Sequence, residues 1–224
     1  MWLFILLKHQ SGLFMEQYLQ PTTFFDYHHP SVSEYFSTLS LPSEASDIEK
    51  AVAIYYAVRD DFRYETSSAF DGVPTFAASF CFEQMQGYCL PKASLMIALC
   101  RKAGLPARIG LADVKNHLAN PQIIEMLRSE IFSMHGYVEI FLSGKWVKAT
   151  PAFDDALCQR NNIKPLAFNG IDDSIFHEFT PGGDKHMEYL VDHGHFEDMP
   201  VTFIHQNFAK HYPHLLEQFS AISQ

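Results

Sequence analysis

Among the side chains of this 224-residue protein best suited to nucleophilic or acid–base chemistry are four cysteines, at positions 81, 89, 100 and 158, and twelve histidines. One cysteine stands apart. Cys89 lies in GYCLPKA, where Gly87 lets the backbone turn and Pro91 fits a first helical turn that needs no N–H; Leu95, Leu99 and Ala103 then share a face, and Gly104 with Pro106 ends the helix. A thiol at a helix N-terminus meets unpaired N–H groups and the positive end of the helix dipole, both of which favour the reactive thiolate. Cys100 falls inside that helix, Cys81 in an aromatic stretch, and Cys158 beyond the last strand with no base nearby, so these three read as packing. Position is what distinguishes Cys89, since an unremarkable free cysteine is usually a buried space filler.

A nucleophilic thiol needs a base, and the stretch FSMHGYVEIFL offers one. Its alternation puts Met134, Val138, Ile140 and Leu142 on one face of a strand and His135, Tyr137, Glu139 and Phe141 on the other. With Ser143-Gly144 as a two-residue hairpin loop, Leu142 pairs with Lys145, Tyr137 faces Thr150 and Ser133 faces Asp154. Thr150, Ala152 and Asp154 then share the histidine's side, the first and last as diagonal neighbours roughly 7–8 Å away. Asp154 is the better orienting group chemically, because a carboxylate stabilises an imidazolium. Thr150 is the better one geometrically, because Pro151 interrupts the ladder before Asp154. A bulge at the turn would bring Ala149 and Phe153 to that face instead. A lone strand histidine is more often a hydrogen-bonded core residue than a base, so the pairing with Cys89 carries the reading.

The elements that must position these groups run helices first, then mostly antiparallel strands, which predicts an α+β fold. The aromatic stretch 18–45 reads as packing, with a short helix after Pro30. Ser46 and Glu49 form a capping box for a helix whose Ile48, Ala51, Val52, Tyr55 and Val58 recur at helical spacing. A turn at Asp71-Gly72 precedes a helical stretch near 75–85, with Gly87 as its sharply turning exit. ARIGL from Ala107 reads as a strand, with Asp113, Asn116 and His117 in the loop after it. A short helix opens at Asn120-Pro121, a hairpin is expected around Pro181-Gly182-Gly183, and a last helix follows Pro200.

Composition bounds the rest. The chain is 47% hydrophobic and 19% charged, which suits one well-covered core, read as a single domain over 18–224 behind an N-terminal tail over 1–17. MWLFILL is too short for a bilayer span of roughly 20 residues and lacks the basic leader of an export signal. It reads as a tail or docking strand, or as residues preceding a true start at Met15. With 26 acidic against 16 basic side chains the net charge is −10, which repels a phosphate backbone, so no nucleic acid partner is expected. The cysteines are too sparse for a disulfide framework, which fits the cytoplasm.

Taken together, GYCLPKASLMIALCRKAGLPARIG and MHGYVEIFLSGKWVKATP resemble the core of the transglutaminase-like superfamily. The family pattern has Gly-x-Cys opening a helix, an Arg-x-Ala-Gly-x-Pro-Ala-Arg exit, and a histidine strand with an acidic residue four positions on. Here these are Gly87 and Cys89, Arg101 through Arg108, and His135 with Glu139, followed by Trp146. Over about 18–208 the chain is similar to bacterial transglutaminase-like proteins. The resemblance implies a cysteine-proteinase-like core, the nucleophile helix packed on an antiparallel sheet, with Cys89 as nucleophile and His135 as base acting on amide or acyl carbons. It also exposes a departure, because the family's Asp before the Pro after the Trp strand is Thr150 here, leaving Asp154 as a substitute. In the expected mechanism the Cys89 N–H, with Gln84 or Gln86, supports the oxyanion, and His117 has a supporting role. No cofactor or metal is expected, and the substrate would be a peptide, protein or small amide. Two other readings compete: an inactive peptide-binding domain on the same fold, and a metal protein using His186, Asp192, His193 and His195, whose loose spacing matches no tight ligand motif.

Overall fold

The computed structural model describes residues 15–176 and 180–215. The expected tail over 1–17 and the choice between Met1 and Met15 therefore lie largely outside the described residues.

The first two helices are α1 (Pro30–Thr38) and α2 (Asp47–Asp61). The capping box forms as expected: the Ser46 hydroxyl accepts from the Glu49 N–H, and the Glu49 carboxylate accepts from the Ser46 N–H at 2.8 Å. A two-residue strand β1 (Arg63–Tyr64) follows, then helix α3 (Ala78–Gln84) and strand β2 (Gln86–Gly87), which pairs in parallel with β1. The left-handed exit of α3 falls on Met85, with φ 50°, and not on Gly87. Gly87 is needed for another reason. A Cβ there would lie 2.9 Å from the Pro91 ring and 3.3 Å from the Cys81 sulfur, so only glycine lets β2 run directly into the next helix.

That helix, α4 (Cys89–Lys102), is buried from Leu90 to Arg101 and forms the centre of the molecule. One side packs on α2 and α3, the other on the sheet. Lys92 is fully buried within it, and its ammonium donates to the carbonyls of Arg59 (2.9 Å) and Phe62 (2.6 Å), closing the C-terminal end of α2. At the exit Gly104 takes φ 82°, and the buried Arg101 guanidinium donates to the carbonyls of Ala107, Gln20 and Glu197.

The remaining elements are β3 (Ala107–Asn116), α5 (Pro121–Leu127), β4 (Ile131–Leu142), β5 (Lys145–Ala149), α6 (Asp155–Arg160), β6 (Met187–Phe196) and α7 (Val201–His211). The main sheet has the order β5-β4-β3-β6 and is antiparallel throughout. The hairpin register is the one the two-residue loop demands, from Leu142 opposite Lys145 to Val138 opposite Ala149. It stops there, because the Thr150 N–H donates to the Ser174 carbonyl and leaves the ladder. Strand β3 is longer than the sequence pattern predicts and contains Asp113 and Asn116, which that pattern places in a loop. Pro181–Gly183 forms a turn, with Gly183 N–H donating to Thr180 O.

Met134, Val138, Ile140 and Leu142 face the main core beneath α4, as their alternation predicts. Tyr137 lies in a second, smaller cluster with Ala112, Val114, Ala152, Leu166, Phe176 and Met187. Among the described residues, no helix is long and apolar enough to cross a membrane.

Candidate active site

Cys89 is the first residue of α4, directly after the N-cap Tyr88. Of the four cysteines it alone keeps solvent-exposed surface; the other three are buried. It packs against both hydrophobic clusters and so sits where they meet. Strand β4 passes closely behind it: a Cβ on Gly136 would fall 2.7 Å from Leu90 Cδ2 and 3.5 Å from the Cys89 carbonyl oxygen. His135 precedes that glycine. Burial pushes the Cys89 thiol up to about 11, although the N–H groups of Gly136, Leu90 and Cys89 itself act on the sulfur in the opposite sense. The thiolate-favouring environment expected of a helix N-terminus is therefore present but outweighed.

His135 is buried in an aromatic wall. Its ring centre lies 5.2 Å from that of Phe176 and 6.4 Å from that of Tyr189, and Phe176 in turn packs at a tilt against Phe153, which meets Tyr64 edge-on. Burial lowers the imidazole to about 4. Among the described residues its Nε2 is buried without a hydrogen-bond partner, as are Thr150 Oγ1 and the Tyr189 hydroxyl, which lie beside each other. At neutral pH Cys89 therefore rests as a thiol and His135 as a neutral imidazole.

The other candidate residues are engaged elsewhere. Asp154 is the N-cap of α6: Oδ1 accepts from the Leu157 N–H (2.8 Å) and Oδ2 from the Tyr64 N–H (2.7 Å). Its carboxylate thus ties α6 to β1, and no hydrogen bond joins it to His135 among the described residues. Gln86 accepts from Arg63 at 2.8 Å, Gln84 is exposed at the end of α3, and the His117 ring lies 3.2 Å from Glu188. The histidine-rich strand does not converge either. Asp192 faces Lys148 and Tyr137, His193 faces Asp113, and His195 faces Glu139. Among the described residues, no group of three or more His, Cys, Asp or Glu side chains is placed to hold a metal ion.

A model of the transglutaminase-like superfamily matches residues 38–151, half of the sequence. The chain belongs to the transglutaminase-like superfamily. The matched span contains Cys89, His135 and Thr150 and stops before Asp154. Other residues of the family pattern also meet in space: Arg108 Nε donates to Glu139 at 2.7 Å, and its guanidinium lies 3.8 Å from the Trp146 ring centre. This cluster braces β3, β4 and β5 together. Of solved structures, a proposed cysteine protease of Cytophaga hutchinsonii is similar at 20% identity and a TM-score of 0.43, over 60% of this chain and 40% of that one. No curated protein matches.

Sequence reasoning missed the residues that wall in His135, namely Phe176 and Tyr189, and the role of Asp113 within a strand. An acidic residue in the otherwise apolar run IGLADV was the available signal for the latter.

Proposed function

We propose that this transglutaminase-like chain is a cysteine-dependent acyl-transfer enzyme acting on a peptide, protein or small amide in a reducing compartment such as the cytoplasm. The observation that carries the reading is the placement of the partly exposed Cys89 at the head of α4, directly over the β4 segment that bears His135 and Gly136. Because the resting pair is neutral, the thiol proton passes to the imidazole as sulfur attacks the carbonyl carbon. The C–S bond forms, and the oxygen takes the charge near the Cys89 N–H at the helix start. The imidazolium then protonates the leaving amine as the C–N bond breaks, giving a thioacyl enzyme. Water yields hydrolysis, and an amine yields transfer.

The inactive binding domain is favoured by one specific observation, the unpaired His135 Nε2 with a threonine where the family places its acid. A single experiment separates the two. Treated with p-nitrophenyl acetate, an enzyme acquires an acetyl group on the Cys89 peptide that Cys89→Ala lacks and His135→Ala forms much more slowly. A wild-type protein with no adduct at Cys89, or one formed equally fast without His135, leaves only the binding reading.

A further inference from the structure

The strand that presents His135 is irregular immediately before it. Ala112 pairs with His135 and Val114 with Phe132, so Asp113 on β3 stands opposite two residues, Ser133 and Met134, and β4 carries a bulge. Met134 takes φ 60°, in the left-handed region that a side chain of its size rarely adopts. Such a conformation persists only where surrounding contacts impose it.

Those contacts are side chains. Asp113 Oδ1 accepts from the Met134 N–H at 3.0 Å and from the Ser133 hydroxyl at 2.8 Å. The Ser133 N–H donates to the Tyr212 hydroxyl at 2.7 Å, which in turn donates to the Ile131 carbonyl. Both amides of the bulge are therefore removed from the ladder and given to side chains. Asp113 is itself buried and flanked by two imidazoles, with His193 Nε2 at 3.1 Å from Oδ1 and His211 Nε2 at 3.7 Å from Oδ2. The contact with His193 is an ion pair when that imidazole is protonated. Burial opposes the carboxylate's charge, but Ser133, the Met134 N–H and His193 outweigh it and hold the group below its usual range.

We propose that Asp113 is a positioning residue for the site: by holding Ser133 and Met134 in the bulge, it sets the direction in which β4 presents the His135 ring and the Gly136 N–H to Cys89. The proposal rests on the Cys89–His135 reading above. The His135 ring and the Gly136 N–H come from the two residues after the left-handed position, so a change of backbone there displaces both together.

The test uses the full chain with three variants. Asp113→Asn keeps an acceptor for the Met134 N–H; Asp113→Ala removes it; Asp113→Ser, whose hydroxyl stops short of that amide, serves if the alanine variant does not fold. Two quantities are read: the Met134 φ, from its HN–Hα coupling in isotope-labelled protein, and the rate of Cys89 acetylation by p-nitrophenyl acetate. In Asp113→Ala or Asp113→Ser, Met134 leaves the left-handed region and acetylation falls about tenfold or more, the scale of a small misplacement of reacting groups. Asp113→Asn restores both to near wild type. Unchanged Met134 geometry overturns the proposal, as does unchanged acetylation despite a moved Met134, or an asparagine variant as slow as alanine. A wild-type protein that forms no Cys89 adduct is a different result: it removes the site reading itself, and the positioning role with it.

Discussion

At the scale of the residue, the proposed site consists of two groups that burial keeps uncharged. Cys89 is pushed up to about 11 and His135 is lowered to about 4, so an ion pair is not the resting state. Iodoacetamide reacts with thiolate, so Cys89 should alkylate slowly at neutral pH, with a rate that climbs toward about pH 11 rather than levelling near the pKa of about 8.5 of a free thiol. A rate already at its plateau at pH 7 would mean a preformed thiolate–imidazolium pair and would contradict this. The unpaired His135 Nε2 marks what the pair lacks. A carboxylate at position 150, beside the Tyr189 whose ring centre lies 6.4 Å from that of His135, would favour the imidazolium by charge. Thr150→Asp is therefore expected to raise the His135 pKa from its low value and to speed Cys89 acetylation by about tenfold, a part of the roughly 10²–10⁴-fold that a full acid–base contribution supplies. An imidazole NMR titration measures the first effect, and a His135 that titrates unchanged would show that position 150 does not address the ring.

At the scale of the element, the close passage of β4 behind α4 depends on Gly136. A methyl group there meets Leu90, which is fully buried, so Gly136→Ala should push the head of α4 away from β4, costing about 1–3 kcal/mol in overpacking and slowing acetylation as well. Gly110 provides the contrast. The Tyr137 ring occupies the place where a Cβ would stand, so Gly110→Ala should destabilise by a similar amount. It acts on the contacts of Tyr137 with Lys148 and Asp192 and not on the approach of β4 to α4, and acetylation should be preserved. Urea denaturation with acetylation rates on both variants checks the pair, and equal loss of activity in both would deny Gly136 a special part. The legible features are those decided locally. The Ser46–Glu49 box, the start of α4 at Cys89 and the Ser143-Gly144 hairpin register each follow from a few adjacent residues. What was not legible is decided at long range. Asp154 looked like a partner for His135 because an uninterrupted ladder would have placed it there, but the Thr150 N–H goes to Ser174 and the Asp154 carboxylate goes to Tyr64, 90 positions away in sequence. The bulge at Met134 is held by a carboxylate on another strand, so nothing in FSMHGYV alone discloses it.

At the scale of the whole molecule, the family's pattern residues divide into two sets, one around Cys89 and one bracing the sheet through Arg108, Glu139 and Trp146, and the fold joins them by burying α4 almost end to end. Placing the histidine in that interior has a consequence for stability against pH. An unfolded chain protonates His135 near 6.5, whereas the folded protein does so only near 4, so between these values the unfolded state binds the extra proton. Stability therefore rises with pH across this window and is lost as pH falls from 6.5 to 4, by up to about 3 kcal/mol for a shift of this size. The buried carboxylates act in a separate range. Asp113 and Asp154 are held below their ordinary 3.8, so their contribution is complete above that value and disappears only at lower pH, as each is protonated in the folded state. Replacing the imidazole by a ring that cannot titrate should thus remove one limb and leave the other. His135→Phe, which keeps an aromatic ring against Phe176 and Tyr189, is expected to show a nearly flat urea midpoint from pH 6.5 to 4.5 where the wild type declines, while both proteins lose stability together below about pH 3.8. If the variant declines in parallel with the wild type over the upper window, the acid sensitivity belongs to groups other than His135, and the imidazole is not held neutral by its burial.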